Sequence, residues 1–163
     1  KLGKYNLSII PTLEDFEKTY NYIKKDFNLL GDLQQFIDRY LYFTDKISYY
    51  KDVRDFEVSL KEKCYIGILS NLVFLDKKRL NDQVGLDNYD YIFLSFEMEC
   101  KKPNIDIYEK VQEQLSFDKQ DILFIDDRKD NIETAKNFGW NGLQATELDL
   151  DKIIKECESF LGE

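Results

Sequence analysis

Asp126 and Asp127 stand side by side at the end of the apolar run DILFI, and the chain turns polar at once in RKDN. Two like charges at the mouth of a buried strand repel one another, and burial raises the cost. A cation in front of them removes it. Paired carboxylates are a hard-oxygen set suited to Mg²⁺, which takes one or two of them and completes its shell with water and phosphate. The plain alternative is a solvated loop after a strand, in a chain whose net charge is −9.

Two other polar signatures follow apolar runs. ILSN ends in Ser70 and Asn71, a hydroxyl and an amide on a loop whose N–H groups can also donate to an anionic oxygen, although Ser-Asn is ordinary turn chemistry too. In ECKKPN, Lys102 precedes Pro103. The proline favours an extended backbone there, and a lysine so held can neutralise a phosphate. Each signature alone reads as a solvated side chain. Taken together, a hydroxyl donor, a lysine and an acid pair are what phosphoryl transfer requires, because its work is mostly positioning and charge neutralisation.

The composition removes competing chemistries. The sequence contains no histidine, which excludes Ser-His-Asp triads, histidine bases and histidine zinc sites together. Cys64, Cys100 and Cys157 lie far apart with no CxxC. They read as reduced thiols of a cytoplasmic protein, Cys64 and Cys157 in or near the core. The acidic balance argues against a nucleic-acid partner, and no apolar stretch approaches the length of a membrane span. With 43% hydrophobic and 15% aromatic residues, the chain is that of a folded globular protein.

The elements that must position these residues follow from hydrophobic period. Leu13, Phe16, Tyr20, Ile23 and Phe27 step by three and four, and Leu33, Phe36, Ile37, Tyr40 and Leu41 repeat the pattern after Gly31. This predicts a small helical unit, with Thr12 as an N-cap. Apolar runs then appear at CYIGILSN, YDYIFLS, DILFIDD and, more weakly, WNGLQA. Between and after them lie amphipathic helices: one bearing Ile107, Tyr108, Val111 and Leu115, one capped by Asp130 and stopped by Gly139, and a last one through Cys157. Strands alternating with helices predict a three-layer, Rossmann-like α/β fold with a parallel sheet. Ligands of such sheets gather at the strands' carboxyl ends, here Ser70-Asn71, Ser95 and Asp126-Asp127. The boundary between helical unit and α/β part is expected near residues 50–56, giving a cap over 1–56 and a core over 57–163.

On these residues, from about Cys64 to Ala145, the sequence resembles the haloacid dehalogenase-like (HAD) superfamily, most of whose members are Mg²⁺-dependent phosphatases. YIGILSNL is similar to the second motif of that family, LSFEMECKKPNIDIYEKV to the third and ILFIDDRKDNIETAKNFGW to the fourth. The resemblance implies Ser70, with Asn71 nearby, as phosphate ligand and Lys102 as the motif lysine. It also implies Asp126 and Asp127 as the acid pair that holds Mg²⁺, and Asn131 as a supporting residue. Asp127 would ligate the metal directly, and Asp126 would share it or orient a bound water. The helical unit resembles the small cap that many members place over the active site. Receiver domains use similar residues but begin with the acid pair, and the order here is Ser, Lys-Pro, acid pair.

One motif of the family is not found. Its nucleophile and its general acid/base are the two aspartates of an Asp-x-Asp that follows a first apolar strand, and nothing upstream of Cys64 fits. YNLSIIPT, the only strand-like candidate, contains no aspartate. In the family that strand lies centrally, between those ending at Ser70 and Asp126, so its loss would expose buried backbone groups at about 1–3 kcal/mol each. With no initial Met, the chain reads as the remainder of a longer protein. The expectation is therefore a capped hydrolase of small phosphate monoesters acting through an aspartyl-phosphate, its nucleophile outside these 163 residues. The alternative is an inactive HAD-like protein that binds a phosphorylated ligand or a partner. A dehalogenase, which needs no Mg²⁺, fits the acid pair less well. Tyr49 and Tyr50 are candidates for a pocket or for packing, and no residue of the helical unit spells out a substrate.

Overall fold

A computed structural model of the chain describes residues 7–44, 51–145 and 150–162. Tyr49, Tyr50 and part of the expected boundary region lie outside them. The chain forms two compact units, one from Lys1–Tyr49 with Gly67–Glu99 and one from Tyr50–Ile66 with Cys100–Glu163. This division follows contacts in space and does not run along the boundary drawn near residue 56.

In the first unit, α1 (Leu13–Phe27) and α2 (Leu33–Thr44) realise the two helical patterns. Thr12 caps α1, its hydroxyl oxygen accepting the Asp15 N–H at 3.1 Å. The expected face buries Phe16, Tyr20 and Ile23, while Leu13 at its start stays 53% exposed. Phe16 meets Phe36 and Phe74 at ring separations of 6.1 and 5.5 Å. β1 (Gly67–Ser70) and β2 (Tyr91–Leu94) pair in parallel, Ser70 opposite Leu94. The helix between them, α4 (Lys77–Val84), was not expected, because KKRLNDQV is polar on most of its faces. Leu80 and Phe74 pack on the buried cluster of Leu72, Leu94 and Phe96.

Ser95, expected at a ligand-gathering strand end, instead serves the fold. It begins the short helix α5 (Ser95–Met98), is fully buried, and its hydroxyl oxygen accepts the Leu72 N–H at 2.9 Å. A second polar pin lies at Asp76, only 4% exposed. Its carboxylate accepts the Tyr40 hydroxyl and pairs with Arg79 at 3.1 Å.

In the second unit, α3 (Lys51–Leu60) packs on α8 (Leu150–Leu161). β3 (Leu123–Asp126) and β4 (Asn141–Gln144) form a parallel pair with Asp126 opposite Gln144. α6 (Ile105–Gln112) and α7 (Lys129–Phe138) carry the predicted apolar faces. Tyr108 of α6, Phe124 of β3 and Trp140 form one aromatic cluster, with ring separations of 5.3 to 6.0 Å. Edge-to-face packing of this kind stabilises beyond area alone. α7 ends at Gly139, whose φ of 109° suits glycine. Its start differs from expectation. Arg128 is the N-cap residue and Asp130 lies in the first turn, where its charge still favours the helix dipole.

The architecture is thus α/β, with parallel strands alternating with helices. Among the described residues each strand has a single strand neighbour, so the strands form two two-stranded sheets. Cys157 and Cys100 are buried and Cys64 half-buried, all as thiols. No described helix is long and apolar enough to cross a membrane.

Candidate active site

β3 alternates in and out as a strand must. Phe124 is buried, Ile125 is exposed, and Asp126 turns inward again. At its end Asp126 meets Lys102, Nζ to Oδ2 at 2.7 Å, the two side chains 9% and 6% exposed. The ammonium also lies 5.2 Å from the centre of the Phe124 ring. The other oxygen, Oδ1, accepts the Arg128 N–H at 2.9 Å and the Asn131 side-chain amide at 2.8 Å. Burial pushes the Asp126 carboxyl up, but the hydrogen bond and charge of Lys102, with the Arg128 N–H and the Asn131 amide, outweigh it. The carboxyl is held below its ordinary range and stays ionised.

Asn131 is set by α7 and by Tyr108, whose hydroxyl donates to the Asn131 carbonyl at 2.9 Å. The residue is 2% exposed. Its Oδ1 is the one buried side-chain polar atom among the described residues that has no partner. The next residue after Asp126 behaves differently. Asp127 is exposed, and no hydrogen bond or ion pair among the described residues reaches its carboxylate. Its carbonyl accepts the Gln144 side-chain amide at 3.0 Å, and the Asp126 carbonyl accepts the Ala145 N–H at 3.0 Å. The end of β4 thereby fixes the backbone of both acids.

Lys102, Asp126, Asp127 and Asn131 all belong to the second unit, and Lys102, Asp126 and Asn131 are in direct contact. Lys102 is joined to Pro103 by a cis peptide bond. Ser70 ends β1 in the first unit, half-buried, and among the described residues nothing hydrogen-bonds its hydroxyl; Asn71 follows, exposed. Sequence reasoning missed Arg128, Gln144 and Tyr108. Arg128 carried a signal, a base directly after the acid pair with an acid two residues on; the other two act through contacts remote in sequence.

As a donor set this end of β3 fits a hydrated dication. It presents hard oxygens, an open carboxylate at Asp127 and, at Asn131 Oδ1, an acceptor that a water would satisfy. Mg²⁺ keeps much of its water and needs few protein ligands, and no group of three or more carboxylates or thiols converges among the described residues.

The sequence profile of the haloacid dehalogenase-like hydrolases matches residues 4–144. A HAD-like family hydrolase from Porphyromonas gingivalis superposes with a TM-score of 0.77 at 22% identity, over 96% of this chain and 78% of that one. A HAD family enzyme from Bacteroides thetaiotaomicron, in complex with magnesium and inorganic phosphate, gives 0.70 at 20% identity, over 88% and 74%. L-2-haloacid dehalogenase from Xanthobacter autotrophicus, with chloropropionic acid covalently bound, gives 0.64 at 22% identity, over 90% and 59%. At these identities the structural likenesses are likenesses of fold, and the sequence match carries the family: this chain belongs to the haloacid dehalogenase-like hydrolases.

Proposed function

We propose that the protein is a Mg²⁺-dependent hydrolase of small phosphate monoesters. The observation that carries this is the unequal acid pair: Asp126 is locked to a buried lysine at 2.7 Å, while Asp127 beside it keeps an open carboxylate. In this reading Asp127 is the direct Mg²⁺ ligand, and the dication supplies charge neutralisation for the phosphoryl group. Asp126 orients Lys102 and either shares the metal or orients a water bound to it. Lys102, fixed by Asp126, offers its charge to phosphate, and the likeness of YIGILSNL to the second family motif gives Ser70, with Asn71, as a phosphate ligand. Preorganised donors of this kind need no rearrangement as charge develops.

The Bacteroides structure with magnesium and inorganic phosphate supports this reading over a dehalogenase, for which an open metal carboxylate has no use. The nucleophilic aspartate belongs to an Asp-x-Asp after a first apolar strand, which no residues upstream of Cys64 supply, and the proposal places it on a segment outside these 163 residues. That same gap favours a second reading, an inactive HAD-like binder of a phosphorylated ligand or partner. The three thiols accord with a cytoplasmic setting.

The test is Asp127→Asn in the complete protein, assayed on p-nitrophenyl phosphate with and without Mg²⁺. Mg²⁺-dependent turnover should vanish while the circular dichroism spectrum and melting temperature are kept. Turnover that survives the change removes Asp127 from the metal site. A complete protein that binds phosphate and turns nothing over supports the second reading.

A further inference from the structure

The two residues after the acid pair are both basic, yet neither is drawn to Asp127. Lys129 pairs with Glu133 at 3.2 Å. Arg128 forks onto Asp130, Nε to Oδ1 at 3.1 Å and a terminal nitrogen to Oδ2 at 2.7 Å. The fork is two-pronged, the geometry that fixes a guanidinium most firmly. Both side chains are about half exposed or more, at 61% and 48%, so no packing holds Arg128 there. The backbone N–H of Arg128 is on Asp126 itself at 2.9 Å, so this residue is anchored at the acid pair and its long side chain is exposed.

We infer that Asp130 is a positioning residue that holds the Arg128 guanidinium off the acid pair and so keeps Asp127 open for its dication. Arg128 follows Asp127 directly in the chain, a monocation already tethered to the site by its backbone N–H, and its removal from contention is set by one exposed acid. Asp126 and Asp127 both act on the Arg128 charge, after the larger hydrogen bond and charge of Asp130. The inference rests on the metal reading of Asp127 given above, and it concerns a residue that touches neither metal nor phosphate.

Mn²⁺ binding, followed by electron paramagnetic resonance in low-salt buffer, tests it without any need for turnover. The proteins are the wild type, Asp130→Asn, Arg128→Gln, the double variant and Arg128→Lys. Asparagine keeps the acceptor that takes the Asn131 N–H at 3.1 Å, and both sites are exposed, so melting temperatures should hold. Asp130→Asn should weaken Mn²⁺ binding by roughly three- to fivefold. In the Arg128→Gln background the same change should cost less than about 1.5-fold, because the competitor is gone. Arg128→Lys, which keeps the charge and loses the fork, should weaken binding as Asp130→Asn does. Equal losses in both backgrounds would mean that Asp130 acts by its own charge, and no loss in either would mean that Arg128 never competes; each overturns the inference while the metal site stands. A wild type that binds no Mn²⁺ overturns the metal reading and this inference with it.

Discussion

Breaking the Lys102–Asp126 pair should cost far more than breaking a surface ion pair. Exposed pairs contribute about 0–1 kcal/mol, but here the two side chains are 9% and 6% exposed at 2.7 Å. Removing one partner of such a pair leaves a charge in a site that water reaches poorly, at a cost of about 3–5 kcal/mol. The two single variants should differ. Lys102→Met leaves the Asp126 carboxylate with two donors, the Arg128 N–H and the Asn131 amide. Asp126→Asn takes the carboxylate from the ammonium and replaces it with a neutral amide. For a chain of this size 1 kcal/mol moves the melting temperature by about 2–4 °C, so a full break should lower it by about 6–20 °C. The double variant Lys102→Met/Asp126→Asn should recover at least about 1 kcal/mol relative to the sum of the singles. Thermal and urea melts followed by circular dichroism measure all of this. Single losses under about 1 kcal/mol that add in the double variant would mean that the pair is hydrated, and the argument for a preorganised lysine would fall.

Two further outcomes follow from buried carboxylates. The folded-state carboxyl of Asp126 lies below its ordinary range, so its contribution to stability is complete above an unfolded value near about 4 and is lost as pH falls through the folded one; the wild-type melting temperature should drop below about pH 4 more steeply than that of Lys102→Met. Tyr40→Phe removes the hydroxyl that α2 donates to buried Asp76 and leaves Arg79 as the acid's partner, at about 1–3 kcal/mol, seen as a lower urea midpoint with an unchanged slope.

What was legible in the sequence was local. The four apolar runs became the four strands, because a short apolar run bounded by polar and turn residues favours a strand whatever it pairs with. Thr12 and Gly139 were readable as caps because the backbone itself demands a side-chain acceptor or a positive φ at those places. Lys102 and Asp126, both singled out in the sequence as polar residues beside apolar runs, meet at the end of β3 at 2.7 Å. What was hidden depended on partners far along the chain. α4 shows few apolar residues, since only Leu80 and Val84 face the interior. Ser95 looked like a ligand donor and is an internal pin, a distinction made by Leu72, 23 residues away. Asp130 looked like a cap and is the partner of Arg128, because the helix begins one residue before it.

The adjacency of Asp126 and Asp127 raises the question of how two joined carboxylates tolerate each other. Asp126 ends β3 half-buried and Asp127 lies just beyond the strand, exposed, so the two carboxylates sit in different surroundings even though their backbones are joined. Asp126 takes the buried lysine, two neutral donors and a depressed pKa. Among the described residues no hydrogen bond or ion pair reaches the Asp127 carboxylate, which is exposed. The end of β4 then holds both backbones with the Ala145 N–H and the Gln144 amide, so that neither acid can rotate into the other's place. On the proposed reading, in which Asp127 is the direct metal ligand, the two acids should respond to substitution in opposite ways: loss of Asp126 should be read out first in stability, and loss of Asp127 first in metal binding with stability unchanged.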